Sequence, residues 1–283
     1  MNTQTDSTKL SLFDAFKVRH TIHYFEPHEF PDSKRRIVDQ IIEQVNATPT
    51  PFGHDDVKLV VSGPGFGRGR IINEKGWILA LIPKSWSKHK KQYFTDVSFR
   101  LQLATMLLTE NGIGTGWATE TFDSSKAKRA FQDWKIPAGV AFGLVPQTHF
   151  LKADPTTTWN KKRLRVDLLF FNANTKKPFT ERNTGELLET LKAIRSGPSK
   201  KNRQPWRFVI EGPMIHVFGT EKGKNCHMGI ALANIYLIAK ENGVKPKFDF
   251  ISPPPNFDSG SGSTPFIPTR YVCSCRFVEK ADW

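Results

Sequence analysis

The 283-residue chain carries 41 Lys and Arg against 27 Asp and Glu, a formal net charge of +14, and is 38% hydrophobic. This composition excludes a disordered chain, and the length holds one large domain or two small ones, each with its own core. No apolar run is long enough to span a membrane, and MNTQTDSTKLSLFDAF has neither the charged nor the apolar region of a signal peptide. A cytoplasmic protein without a membrane partner is therefore expected.

Taken in chain order, residues 11–18 and 33–47 read as helices. In the second, Asp32 or Ser33 can cap the N-terminus, and Ile37, Ile41, Ile42 and Val45 share a face. TPTPFG breaks that pattern, and 57–63 follows as a strand. GPGFGRGR (63–70) has the look of a phosphate-binding loop. No Lys-Ser/Thr follows it and no helix opens after it, so it reads as a flexible turn. A second strand spans 76–84. Residues 95–111 form the most apolar helix, with Gly112 suited to the position just past its end. A short helix follows in SSKAKRAFQDW, then a buried strand over 138–145 and a Pro/Thr-rich connector over 146–159. The second half offers a helix over 184–195, a turn and strand in QPWRFVIEGP, a strand over 214–220 and a long apolar helix over 227–243. A loop over 252–265 and a closing strand in TRYVCSCRFVEK end the chain. Only three cysteines occur, which argues against a disulfide framework; Cys273 and Cys275 alternate in that last strand and read as buried structural thiols.

The two halves align by landmarks. Gly63-Pro64 falls on Gly212-Pro213 and Glu110-Asn111-Gly112 on Glu241-Asn242-Gly243, in the same order and with a shorter second copy. This reads as an internal duplication of an α+β unit. The basic residues are spread along the chain, densest in KSWSKHKKQ (84–92), KKRLR (161–165) and KKNR (200–203). No zinc-ligand spacing, recognition helix or RNA-binding aromatic motif accompanies them. That pattern argues against nucleic acid as the partner and leaves phosphate-bearing small molecules as targets of the charge. The cluster at 84–92 reads either as a solvated loop or as an attractor for nucleotide phosphates.

One stretch crowds polar side chains into a turn just before an apolar strand: PSKKNRQPW, residues 198–206. It resembles the P-S-x-x-N-x-Q-P-W signature of the FMN-dependent nitroreductase family through Pro198, Ser199, Asn202, Gln204, Pro205 and Trp206. KVRHTIHYF (17–25) is similar to that family's N-terminal R-x-S/T-x-R-x-F segment, with Arg19, His20, Thr21 and His23. NGIGTGWATETF (111–122) is similar to its G-x-G-T-x-W-x-x-x-F loop, and NKKRLRVDLLFF (160–171) to its basic tail. His23 stands where the family usually has Arg, which weakens the phosphate grip there; Arg165 is a candidate to compensate.

The resemblance implies an α+β fold, a mixed, mostly antiparallel sheet wrapped by helices. In such proteins two subunits interlock with FMN at their interface. This chain then resembles a dimer fused into one polypeptide, a pseudo-dimer for which a monomer suffices, with a first nitroreductase-like half over 1–170 and a second, truncated half over 171–283. The implied cofactor ligands are Arg19, His20, Thr21 and His23, the Thr115, Ala118, Thr119 and Glu120 segment, Lys161 and Arg163, and Pro198, Ser199, Asn202 and Gln204. Arginine suits a phosphate because its fork of N–H groups binds two oxygens at once. Trp117 and Trp206 read mainly as packing residues. The implied activity is an NAD(P)H oxidoreductase, with NADH or NADPH as reductant and a nitroaromatic or quinone-type small molecule as acceptor, in a ping-pong hydride transfer that needs no side-chain catalyst. Two other readings remain beside it: a flavin-binding degenerate relative with little turnover, and a basic nucleic-acid-binding protein. Residues 48–56, TPTPFGHDD, do not repeat the P-S-x-x-N pattern, so one working site is expected.

Overall fold

A computed structural model describes residues 9–84, 90–119, 122–146, 163–220, 225–252, 254–255, 257 and 270–278. The chain divides into two compact units. The first comprises Met1–Pro49, Asp55–Lys90 and Arg100–Thr158, and the second Thr50–His54, Lys91–Phe99 and Trp159–Trp283.

In the first unit, helix α1 (Leu12–Val18) is capped by Ser11, whose hydroxyl accepts the Asp14 N–H. Helix α2 (Asp32–Ala47) buries Val38, Ile41, Ile42 and Val45, while Ile37 is only half-buried. The expected side-chain cap is absent: Pro31 holds the cap position and Asp32 is already helical, where its carboxylate faces the positive end of the helix. Strands β1 (Lys58–Ser62), β2 (Gly76–Pro83), β3 (Gly114–Ala118) and β4 (Trp134–Gly143) form an antiparallel sheet in the order β1-β2-β4-β3. Helix α3 (Lys90–Glu110) precedes β3 and helix α4 (Ser124–Ala130) precedes β4. As expected, Gly112 ends α3 with a positive φ of 64°. The GPGFGRGR turn is tied down: Lys126 donates to the Pro64 and Gly65 carbonyls and lies over the Phe66 ring, and Glu74 accepts the Gly65 N–H.

The second unit holds a short strand β5 (Phe170–Asn172), helix α5 (Leu187–Arg195), strands β6 (Trp206–Glu211) and β7 (Met214–Gly219), helix α6 (Asn225–Glu241), and strands β8 (Lys245–Asp249) and β9 (Arg270–Val278). They form a five-stranded sheet in the order β5-β6-β7-β9-β8, antiparallel except for the parallel β5–β6 pair. Helix α6 buries almost every residue from His227 to Ala239, and Gly229 lets it press directly on the 95–99 stretch of α3. A Cβ there would overlap the Thr95 carbonyl and lie 2.8 Å from the Phe99 nitrogen. Cys273 and Cys275 are buried on β9 as expected. Burial pushes both thiols up, Cys275 to about 12, which leaves them protonated and unreactive.

Candidate functional site

The first unit brings two of the sequence-singled segments together. The chain leaving α1 runs alongside β3, where Ile22 N–H donates to the Thr115 carbonyl at 2.9 Å. Further on, Phe25 N–H donates to Ile72 and Ile72 N–H to His23. The approach depends on glycine: a Cβ on Gly116 would overlap the Ile22 carbonyl. A Cβ on Gly143 would lie 2.8 Å from the Phe25 ring. Ile22, Phe25, Ala118 and Phe122 share one core with Trp77 and Leu79. Apolar residues from both segments thus anchor the polar ones between them. Arg19 is buried at 8% exposure, His20 and Thr21 are half-buried, and His23 is exposed. The His20 ring bonds the Val18 carbonyl at 2.9 Å. Thr115 and Ala118 are buried and Thr119 is exposed; Glu120 lies outside the described residues. The sequence reading of Gly114–Ala118 as a loop is corrected here: it is a strand paired with β4 over its whole length.

The second unit builds the PSKKNRQPW turn as a closed hydrogen-bond network. The Ser199 hydroxyl accepts the Gln204 N–H at 2.9 Å. The Gln204 side chain, 1% exposed, accepts the Leu164 N–H and donates to the Asn202 carbonyl. Arg163 donates to the Ser196 and Gly197 carbonyls at 2.7 and 2.8 Å and to the Asn202 side-chain oxygen at 3.0 Å. Burial, with the neighbouring Arg195 charge, lowers the Arg163 guanidinium to about 10. Lys201, Asn202 and Gln204 all have positive φ, between 46° and 53°. Three such non-glycine residues in four positions are conformational strain that the network over-determines. Pro198 is half-buried and Lys161 lies outside the described residues. Arg165 is exposed and pairs with Asp167 at 2.6 Å.

Sequence reasoning missed the side chains that hold this turn. His227 accepts the Lys200 N–H at 3.2 Å, Asn234 donates to the Ala193 and Ile194 carbonyls at the end of α5, and Arg195 donates to the Leu164 carbonyl. The available signal was a His and an Asn inside the otherwise apolar run HMGIALANIYLIA, since buried polar groups need partners. A cleft of about 680 Å³ lies elsewhere in the first unit, lined by residues that include Glu29, Arg35, Glu74 and Phe142 and by none of the sequence-predicted site residues.

A flavin nucleotide presents acceptor oxygens on its phosphate and ribityl chain. Arg19, His20 and Thr21 supply donors suited to phosphate or ribityl oxygens. The buried Trp117 indole N–H on β3 has no acceptor among the described residues. A buried donor left so costs about 1–3 kcal/mol, and a ligand rich in acceptor oxygens relieves that cost. The residues fit the group.

The α+β architecture with these paired segments defines a nitroreductase-type protein. A family model described as "Putative TM nitroreductase" matches residues 11–239, and the chain belongs to that family of oxidoreductase enzymes. Among solved structures, a "putative nitroreductase (tm1586)" from Thermotoga maritima msb8 is similar at 17% identity and a TM-score of 0.62, over 98% of this chain and 97% of that one. A nitroreductase family protein from Clostridium difficile 630 matches 56% of this chain and 95% of its own, at 15% identity and a TM-score of 0.43. The FMN-dependent nitroreductase NfnB from Mycobacterium smegmatis, solved with NADPH, matches 49% of this chain and 89% of its own, at 13% identity and a TM-score of 0.38. No curated protein matches the chain. Among the described residues no helix is long and apolar enough to cross a membrane.

Proposed function

We propose that this chain is an FMN-dependent NAD(P)H oxidoreductase that reduces nitroaromatic or quinone-type acceptors in a ping-pong cycle. The observation that carries the reading is the seating of the Arg19–Phe25 segment on β3, which brings a chain stretch with a buried arginine, a histidine and a threonine alongside the strand that bears the Trp117 indole donor. Arg19 binds the phosphate, His20 and Thr21 bond phosphate or ribityl oxygens, and the Ala118–Thr119 backbone lies against the ring. Glu120 and Lys161 keep the roles the family resemblance gives them. In the second unit, Ser199, Asn202 and Gln204 shape a rigid turn, with Arg163 fixing the Asn202 oxygen, and keep the roles the family resemblance gives them. FMN, when bound, supplies the hydride-transfer chemistry between the reduced nicotinamide and the acceptor.

The duplication belongs to the same proposal. Each unit contributes a helix, a hairpin, a long helix and two further strands, and the sheet orders β1-β2-β4-β3 and β6-β7-β9-β8 are the same. Asp96 on α3 and His227 on α6 perform the same task, accepting backbone N–H groups from the turn ahead of the first hairpin strand.

The test is the visible spectrum of the purified protein before and after FMN is added and excess removed, followed by NADH or NADPH. A retained flavin band that either nucleotide bleaches supports the reading, with Arg19→Ala expected to lose the band. A colourless protein that takes up no FMN refutes it. A retained band that neither nucleotide bleaches favours a flavin-binding relative with little turnover, consistent with the engagement of Arg163 by its own backbone.

A further inference from the structure

A chain of hydrogen bonds crosses three strands of the second sheet and uses none of the site residues named so far. The Ile251 N–H reaches the Tyr271 hydroxyl at 3.3 Å. Tyr271 Oη lies 2.7 Å from Ser274 Oγ, which lies 2.6 Å from His216 Nδ1. His216 Nε2 lies 2.9 Å from Glu211 Oε2. His216 and Ser274 are buried at 2% and 1% exposure, whereas the Glu211 side chain is 50% exposed. The network therefore runs from a half-exposed carboxylate through a buried interior to the half-buried Tyr271.

The polarity of this network is fixed by its ends. A backbone N–H only donates, and an ionised carboxylate only accepts. Glu211 thus requires a proton on His216 Nε2, which leaves Nδ1 as acceptor for Ser274, and Ser274 as acceptor for Tyr271. One added proton reverses every link. A protonated Glu211 donates to Nε2, Nδ1–H donates to Ser274, Ser274 donates to Tyr271, and the phenolic hydrogen is released to point at a ligand. When Tyr271 gives that hydrogen up, each remaining proton moves one place towards it and the first polarity is restored. One proton enters at Glu211 and one leaves at Tyr271, with no other change.

The register puts Tyr271 in the row that ends at Arg207, two strands away, at the end of the sheet where the PSKKNRQPW turn enters β6. Tyr271 pairs with Phe218 and Phe218 with Arg207, whose guanidinium holds the Gln204 and Trp206 carbonyls. Ser274 pairs with His216 one row further along, and Glu211 lies in the last row, opposite Met214. Among the described residues, Arg207, Lys247, Asp249 and Arg276 are the other charged groups on this face near the relay, and Asp249 is paired with Lys247. Beside Tyr271 lies the Phe250 ring, 5.4 Å away and 62% exposed, a flat apolar surface suited to an aromatic acceptor.

We propose that Glu211, His216, Ser274 and Tyr271 form a one-proton relay that delivers a proton to an aromatic acceptor at the Tyr271 hydroxyl. The inference rests on the oxidoreductase reading, because two-electron reduction of a quinone by hydride requires one further proton. Tyr271 is the donor, and the other three are positioning residues.

Nitrogen NMR of the His216 ring tests the relay itself, with Nε2 protonated and Nδ1 bare expected; the opposite tautomer overturns it. Rapid mixing of FMN-loaded, NADPH-reduced protein with a quinone tests its role. Tyr271→Phe and Glu211→Gln, which keep the packing, are expected to slow acceptor reduction on the order of a hundredfold and to change its solvent deuterium effect at unchanged Tm. Wild-type rates and isotope effects in both variants would sink the delivery role. Failure of the wild-type flavin band to bleach with NADPH or NADH is a different result: it removes the oxidoreductase reading and the delivery role with it, while the tautomer still reports on the wire.

Discussion

Arg163 shows how a single side chain can hold a whole turn together. Its guanidinium closes the end of the α5 turn through the Ser196 and Gly197 carbonyls and clamps Asn202. Arg163→Ala leaves those buried acceptors unsatisfied and is expected to destabilise the protein by about 2–3 kcal/mol in urea unfolding. Arg163→Lys is expected to recover little of it, since a single ammonium cannot span the three acceptors. Asp96 offers a pH-dependent counterpart. It is fully buried, bonded to His54 Nδ1 at 2.8 Å and to the Phe52 and His54 N–H groups, and burial raises its carboxyl above the ordinary value against the pull of those bonds. For an acid so shifted, the cost of the buried charge is present above the raised value and is lost as pH falls through it. Wild type should therefore gain stability relative to Asp96→Asn as pH drops from neutral into the mildly acid range. A difference that stays constant across that range would show that Asp96 titrates normally. Neither role was legible in sequence: the family resemblance singled out Arg163 as a phosphate ligand, and Asp96 sits unmarked in an apolar helix.

At the scale of elements, legibility followed hydrophobic pattern. Helix α2 carries an apolar stripe, while α3, α6 and strands β1, β2, β6, β7 and β9 carry dense apolar runs, and all were expected near their observed positions, α3 starting five residues earlier than expected. Strand β8 escaped because KPKFD alternates exposed lysines with a proline, the composition of a protected sheet edge rather than of a core strand. Strand β5 is only three residues long and is parallel, so it leaves no alternation to detect. Strand β3 was read as a loop because three of its first four positions hold Gly or Thr, yet those glycines are what let the Arg19–Phe25 segment lie against it. Gly116→Ala is expected to push that segment off β3, so FMN retention should fall sharply while far-UV circular dichroism stays native. Gly229→Ala tests the other close approach. Forcing a Cβ between α6 and α3 is expected to cost about 3 kcal/mol, read as a lowered urea midpoint. An unchanged midpoint would mean that the two helices separate at little cost.

At the scale of the molecule, two sheets of one strand order carry different turns ahead of their first hairpin strands. In the second unit that turn is strongly basic, with Lys200, Lys201 and Arg203 around Asn202. In the corresponding stretch of the first half, TPTPFGHDD, the backbone is occupied by the protein itself. Arg100 holds the Thr48, Asp55 and Val57 carbonyls, and Asp96 takes the Phe52 and His54 N–H groups. Two aspartates, Asp55 and Asp56, replace the cations, and a flavin phosphate meets like charge there. Nor does the second half repeat the Arg-His-Thr segment or a Gly-Thr-x-Trp strand, since the strand in the matching sheet position is KPKFD. The first-half turn, held by Arg100 and Asp96, serves as a structural lock. The expected stoichiometry is therefore one FMN per polypeptide, measured as flavin absorbance released from washed, saturated protein against its concentration. Two FMN per chain would mean that the Asp-bearing turn still tolerates the cofactor.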